Sequence, residues 1–142
     1  MWIDQRGSEV RDRTECQHLL TQRAGGIGRF GLSVASQVVI VPVNYQMIGQ
    51  DVLIRVGPGD VLDAAWAAMI VAFEVDDVAG DAVTAWSVLV QGLATELDVH
   101  QVEQARTRPV VPLVPEPGNA FVRIRTGVLS GRRFPVSIEL PS

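Results

Sequence analysis

Residues 37–56 read QVVIVPVNYQMIGQDVLIRV, two runs rich in β-branched residues separated by Ile48-Gly49-Gln50-Asp51. Valine and isoleucine lose side-chain freedom in a helix and pack well on a pleated surface, and neither run shows the apolar spacing of a helix. Glycine at the first central position of the link suits a type II′ hairpin. A lone hairpin is marginal in water, so a chain that invests this much length in one must supply further strands to cover it. The continuous VVIVPVNY run reads as a strand buried on both faces. Pro42 lacks an N–H and predicts an edge or bulge within it.

The further strands are legible. Ile27, Arg29 and Gly31 alternate with Gly28, Phe30 and Leu32; AMIVAFEV (68–75) and TAWSVLVQGLATEL (84–97) follow, joined by the polar link DDVAGD. FVRIRTGVLSGRRF (121–134) places Phe121, Arg123 and Arg125 on one face and Val122 and Ile124 on the other. Thr14 with Gln17 forms a capping box, and Cys16, Leu19 and Leu20 make an apolar stripe. Gly25 is the stop, predicting a helix over about Glu15 to Ala24. Asp60 reads as the N-cap of a short helix carrying Val61, Leu62, Ala64 and Ala65, and Asp98 as the cap of another ending near Gln104. RPVVPLVPEPGN is irregular, and no internal repeat appears. The expected fold is mainly β, a six-stranded antiparallel barrel with short peripheral helices.

Composition excludes several function classes. The 142 residues fit one domain, 47% hydrophobic against 20% charged, which suits a globular chain. A formal net charge of −4 argues against a nucleic-acid partner. All 12 basic residues are arginine. Without lysine there is no Schiff base to pyridoxal phosphate, and any anion anchor must be arginine or backbone. Cys16 is the single cysteine, so no internal disulfide forms, as expected in a reducing cytoplasm. The polar N-terminus is no signal peptide and the apolar runs are too short to span a bilayer, so a cytoplasmic, membrane-free protein is expected.

Motifs of chemistry are few. Gly26-Ile27-Gly28-Arg29-Phe30-Gly31 satisfies the dinucleotide fingerprint, but it stands after a helix and before a strand, the reverse of the required order. Glu74, Asp76 and Asp77 have no histidine at ligand spacing, so no metal site is expected. No G-x-S-x-G elbow is present. Trp86 reads either as packing or as the wall of a planar ligand, and Arg123 with Arg125 either as an anion contact or as a solvated face. IRVGPGDVLDAAW (54–66), a strand leading through glycines into a helix, is the best candidate for an anion seat.

In order along the chain, PVNY, IRVGPGDVLDAA, FEVDD, WSVLVQG and FVRIRTGVLSGRRF resemble the pyridoxamine 5′-phosphate oxidase-like family, the flavin-binding split β-barrels, from about Asp12 to Phe134. The resemblance divides the chain into an extension (1–11), a split-barrel domain (12–136) and a tail (137–142). It implies a homodimer holding FMN or the deazaflavin F420 in a cleft shared by two subunits, and hydride transfer to or from a small molecule. It assigns the phosphate to Arg55, Val56, Gly57, Gly59, Asp60 and Val61, and the ring to Pro42, Val43, Asn44, Tyr45 and Trp86, with the loop from Arg108 to Asn119 over the cleft. Flavin-binding members usually carry a hydroxyl soon after the arginine and a lysine near the helix start; here stand Val56 and Val61. With Asp60 expected to cap the helix, the phosphate seat reads as degenerate. The alternative is a non-catalytic dimer that binds or senses F420, haem or another ligand.

Overall fold

A computed structural model describes residues 2–3, 9–107 and 119–136. Its elements, in chain order, are β1 (Trp2–Ile3), β2 (Glu9–Arg11), α1 (Arg13–Gln22), β3 (Ile27–Val34), β4 (Gln37–Ile48), β5 (Asp51–Val56), α2 (Asp60–Trp66), β6 (Ile70–Val78), β7 (Thr84–Glu96), α3 (Val99–Ala105), β8 (Ala120–Ile124) and β9 (Val128–Pro135). Every pairing is antiparallel. The order β6-β3-β4-β5-β8 closes through a β7–β8 pairing and β6–β7, giving the expected six-stranded barrel. Strands β9, β2 and β1 extend the sheet from the other edge of β7.

Two strands change partner, and these exchanges split the barrel. β4 pairs with β3 from Gln37 to Asn44 and with β5 from Tyr45 to Ile48. Pro42 therefore lies in a stretch that pairs on one side only, as a residue without an N–H requires. β7 meets β9 up to Gln91↔Val128 and β8 from Ala94↔Ile124. Arg125, Thr126 and Gly127 thus stand opposite Gly92 and Leu93, a bulge that bends one long strand through both sheets. A Cβ on Gly92 would lie 1.6 Å from the carbonyl oxygen of Arg125. Glycine is the only residue that admits this crossing, which the Arg125 N–H to Leu93 carbonyl bond (2.9 Å) holds.

The Ile48–Asp51 hairpin forms as expected, with Gly49 at φ 60°. The expectation that 38–43 is buried on both faces is not met. Val39, Val41 and Val43 turn inward, whereas Val38 and Ile40 are 82% and 67% exposed. The helices plug the core: Cys16 and Leu20 of α1 and Val61, Leu62, Ala64 and Ala65 of α2 join Phe30, Tyr45, Phe73, Val88 and Ile124 in one cluster. A smaller cluster under α3 holds Leu53, Leu97 and Ala105. Helix α1 starts two residues earlier than read, because extended Asp12, not Thr14, caps it by accepting from the Glu15 N–H at 2.8 Å. Asp98 caps α3 as expected, and Gln101 reciprocates by accepting from the Asp98 N–H. Among the described residues no helix is long and apolar enough to cross a membrane.

Gly92→Ala is expected to cost of order 3 kcal/mol or more, read as a fall in the urea midpoint, because backbone rather than a side chain must yield. Tyr45→Phe deletes the buried hydroxyl that donates to the Leu20 carbonyl at 2.6 Å. It is expected to lower unfolding free energy by about 1–3 kcal/mol at unchanged m-value.

Candidate functional site

The split between β4 and β5 opens past the rung Tyr45↔Ile54. Asn44 and Arg55 are the next residues on its two lips. Strand alternation sends the PVNY side chains to opposite faces: Pro42 is exposed and Asn44 half-buried, while Val43 and Tyr45 point into the core. Tyr45 packs edge-on against Phe73 at 5.2 Å, and burial holds its hydroxyl protonated far above the ordinary range. Val43 and Tyr45 are therefore supports beneath the face, and Pro42 and Asn44 the members of the motif that face outward.

Arg55 sits opposite Phe121 on β8, its guanidinium 5.3 Å from the ring centroid. Its Nε is buried and has no hydrogen-bond partner, and among the described residues no carboxylate pairs with it. Asn119, one residue before the rung Val56↔Ala120, also holds a buried, unpartnered side-chain oxygen. Amide oxygen and nitrogen are interchangeable by a flip, so this group presents either polarity. The resemblance placed Asn119 only as the end of the loop over the cleft and gave it no role of its own; no local motif marks it.

The segment after Arg55 differs from expectation at its start. Gly59, at φ 154°, is the N-cap of α2, and no side chain caps the helix. Asp60 is the exposed first residue of the helix, so it does not fill the backbone donors that an anion would use. The left-handed φ of Gly59 favours glycine, which is why the cap falls there. Val56 and Gly57 are half-buried beside the split, whereas Val61 is 5% exposed and packed in the core.

Trp86 is elsewhere. It floors a cleft of about 380 Å³ lined also by Leu19, Arg23, Asp77, Ala85 and Arg133. Arg55, Asn44 and the 57–61 segment do not line this cleft, so one chain does not bring all the expected residues together. Arg23 pairs there with Asp77 at 3.3 Å. Arg123 is bound to Asp51 at 2.7 Å and ties β8 to the start of β5, and Arg125 is exposed. Glu74 and Asp76 clasp Arg29 at 3.0 and 2.9 Å. The fingerprint glycines serve β3: a Cβ on Gly28 would lie 2.2 Å from the Phe73 ring. Of the loop expected over the cleft, 108–118 lie outside the described residues.

Comparison with known proteins agrees with this architecture. An uncharacterised protein of Mycobacterium tuberculosis is 32% identical over 136 residues, 92% of this chain and 88% of that one. The structure of an FAD-binding protein from Mycobacterium smegmatis superposes with a TM-score of 0.71 at 29% identity, covering 89% of this chain and 97% of that one. An FAD-binding protein from Mesorhizobium loti gives 0.72 at 21%, over 89% and 98%. The family model for pyridoxamine 5′-phosphate oxidase matches residues 12–133, so with its split barrel and PVNY, FEVDD and WSVLVQG elements this chain belongs to the pyridoxamine 5′-phosphate oxidase family.

Proposed function

We propose that the chain binds a flavin or F420 nucleotide at the β4–β5 split and works as a homodimeric oxidoreductase on a small molecule. The observation that carries this reading is Arg55, a cation held against Phe121 with a buried Nε and no partner. An unpaired, partly desolvated guanidinium is costly unless an anion completes it, and a phosphate accepts its planar donors well. Gly57 and Gly59 let that anion approach the backbone, and Asn119 supplies a polar contact beside it. Pro42 and Asn44 border the ring, and Trp86 reaches it from a second copy, since one chain keeps it in a separate cleft. The M. smegmatis relative named as FAD-binding supports the nucleotide class.

The residues fit a phosphate in part. Arg55 is available, and the absence of a side-chain cap on α2 removes one objection. The lysine position is taken by buried Val61, so the seat has one cation rather than two. When bound, such a ring supplies hydride transfer; the chain contributes orientation and a dry contact surface.

Titration of the purified protein with FMN, FAD and F420, followed by absorbance and by retention on gel filtration, tests the reading. One of the three is expected to stay bound. Arg55→Gln is expected to weaken it by about tenfold to a hundredfold through loss of a charge-assisted pair. Asp60→Asn is expected to tighten it by about threefold to tenfold, because Asp60 is exposed and solvent-screened. Equal affinity in Arg55→Gln and the parent chain would place the phosphate elsewhere. A chain that retains none of the three overturns the flavin reading and favours a non-catalytic dimer for haem or another ligand, in keeping with Val56 and Val61 where a hydroxyl and a lysine are usual.

A further inference from the structure

Three buried side-chain polar atoms lack a hydrogen-bond partner among the described residues. Two, on Arg55 and Asn119, stand at the split; the third is Nε of Arg23, in the separate cleft over Trp86. Strand register builds that cleft. Asp77, Trp86 and Arg133 stand opposite one another on β6, β7 and β9, so their side chains leave the sheet on one face. Neighbouring strands lie about 4.8 Å apart, which sets Asp77 and Arg133 about 10 Å apart on either side of the indole. Arg23, at the end of α1, closes a third side, with Leu19 as an apolar wall.

The Arg23–Asp77 pair adds little to folding. Nε stands 3.3 Å from Oδ2 of Asp77 without the alignment of a hydrogen bond, and both side chains are 42% exposed. Arg29 and Arg123, by contrast, donate to their carboxylates at 3.0, 2.9 and 2.7 Å. Asp77 spends Oδ1 on the Val78 N–H at 2.8 Å, and among the described residues its Oδ2 accepts no hydrogen bond. An unspent acceptor and unspent donors thus stand side by side at the edge of an aromatic floor.

The charges decide what fits there. Asp77 matches Arg23, Arg133 lies 3.9 Å from Asp81, and Glu9 stands opposite Arg133 in register. No cation is in excess, so an anion finds nothing to neutralise, unlike at Arg55. What is left over is hydrogen bonding. A cyclic amide completes a donor beside an acceptor: its carbonyl accepts from the guanidinium and its N–H donates to the carboxylate. Trp86 offers the apolar surface on which such a ring stacks. The volume of about 380 Å³ is at the small end of ligand pockets and suits one or two fused rings.

We infer that this cleft binds an uncharged planar heterocycle by a lactam edge, with the ring over Trp86, the carbonyl on Arg23 and the ring N–H on Asp77. The inference deepens the functional reading and rests on it for making this heterocycle the small molecule acted upon. The binding itself needs no cofactor.

Calorimetric titration of the cofactor-free protein with 2-quinolone, N-methyl-2-quinolone and 2-naphthoate tests this. The three are of similar size and shape; the second lacks the N–H, and the third carries a negative charge instead of the lactam. 2-Quinolone is expected to bind about tenfold to a hundredfold more tightly than either. Arg23→Met and Asp77→Ala, both at half-exposed positions, are expected to fold normally by circular dichroism and to weaken it by about tenfold each. Equal affinity for 2-quinolone and its N-methyl analogue would overturn the lactam edge, and tighter binding of 2-naphthoate would overturn the uncharged class. Binding unchanged in both variants, or none up to millimolar 2-quinolone, would overturn the site. No flavin or F420 enters these titrations, so they fail or stand separately from the Arg55 titration.

Discussion

At Gly92 the carbonyl of Arg125 occupies the space where any other residue would carry its Cβ. That contact lets β7 leave β9 and take up β8 without ending, and lets β8 and β9 run as one strand bent by a bulge. Barrel closure follows, because β8 can then reach β5, and β5 reaches β4 through the Gly49 hairpin. On the other side of β5, β4 pairs with β3 up to Asn44 and with β5 only from Tyr45, which opens the split whose lips are Asn44 and Arg55.

Core and surface are divided by strand alternation. Phe30, Phe73, Val75, Val88 and Val90 alternate inward with outward Arg29, Gly31, Glu74, Leu89 and Gln91. The inner set is closed by α1 and α2 and needs nothing more. The outer set on β4, β3 and β6 mixes aliphatic side chains with an ion cluster, a composition typical of neither a core nor an ordinary wetted surface.

That division also marks what the sequence could reveal. Valine-rich runs, the Gly49 hairpin and the Asp98–Gln101 cap are local signals, and local physics decides them. VVIVPV is different: Val38 and Ile40 are as apolar as Val39 and Val41, so residue type could not separate a buried side from an exposed one. Asp60 was misread because N-cap choice depends on backbone angles, and Gly59 at φ 154° is better placed. Within PVNY, alternation alone would have separated Val43 and Tyr45 from Pro42 and Asn44. Asn119 had no signal, since its significance arises from pairing across β5 and β8 rather than from its neighbours.

Arginine is the chain's only strong cation, and its distribution sorts structure from function. Arg23, Arg29, Arg106, Arg123 and Arg133 each have a carboxylate within 4 Å, from 2.7 Å at Asp51 to 3.9 Å at Asp81. Arg13 reaches the Thr126 carbonyl, and Arg125 is exposed, where water completes it. Arg55 has neither arrangement: it is partly withdrawn from water, faces an aromatic ring and leaves its Nε without an acceptor. Folding alone gains little from such a group, since a neutral side chain over Phe121 would avoid the desolvation. An arginine that the fold does not complete is the residue for which an external anion has a physical reason to bind.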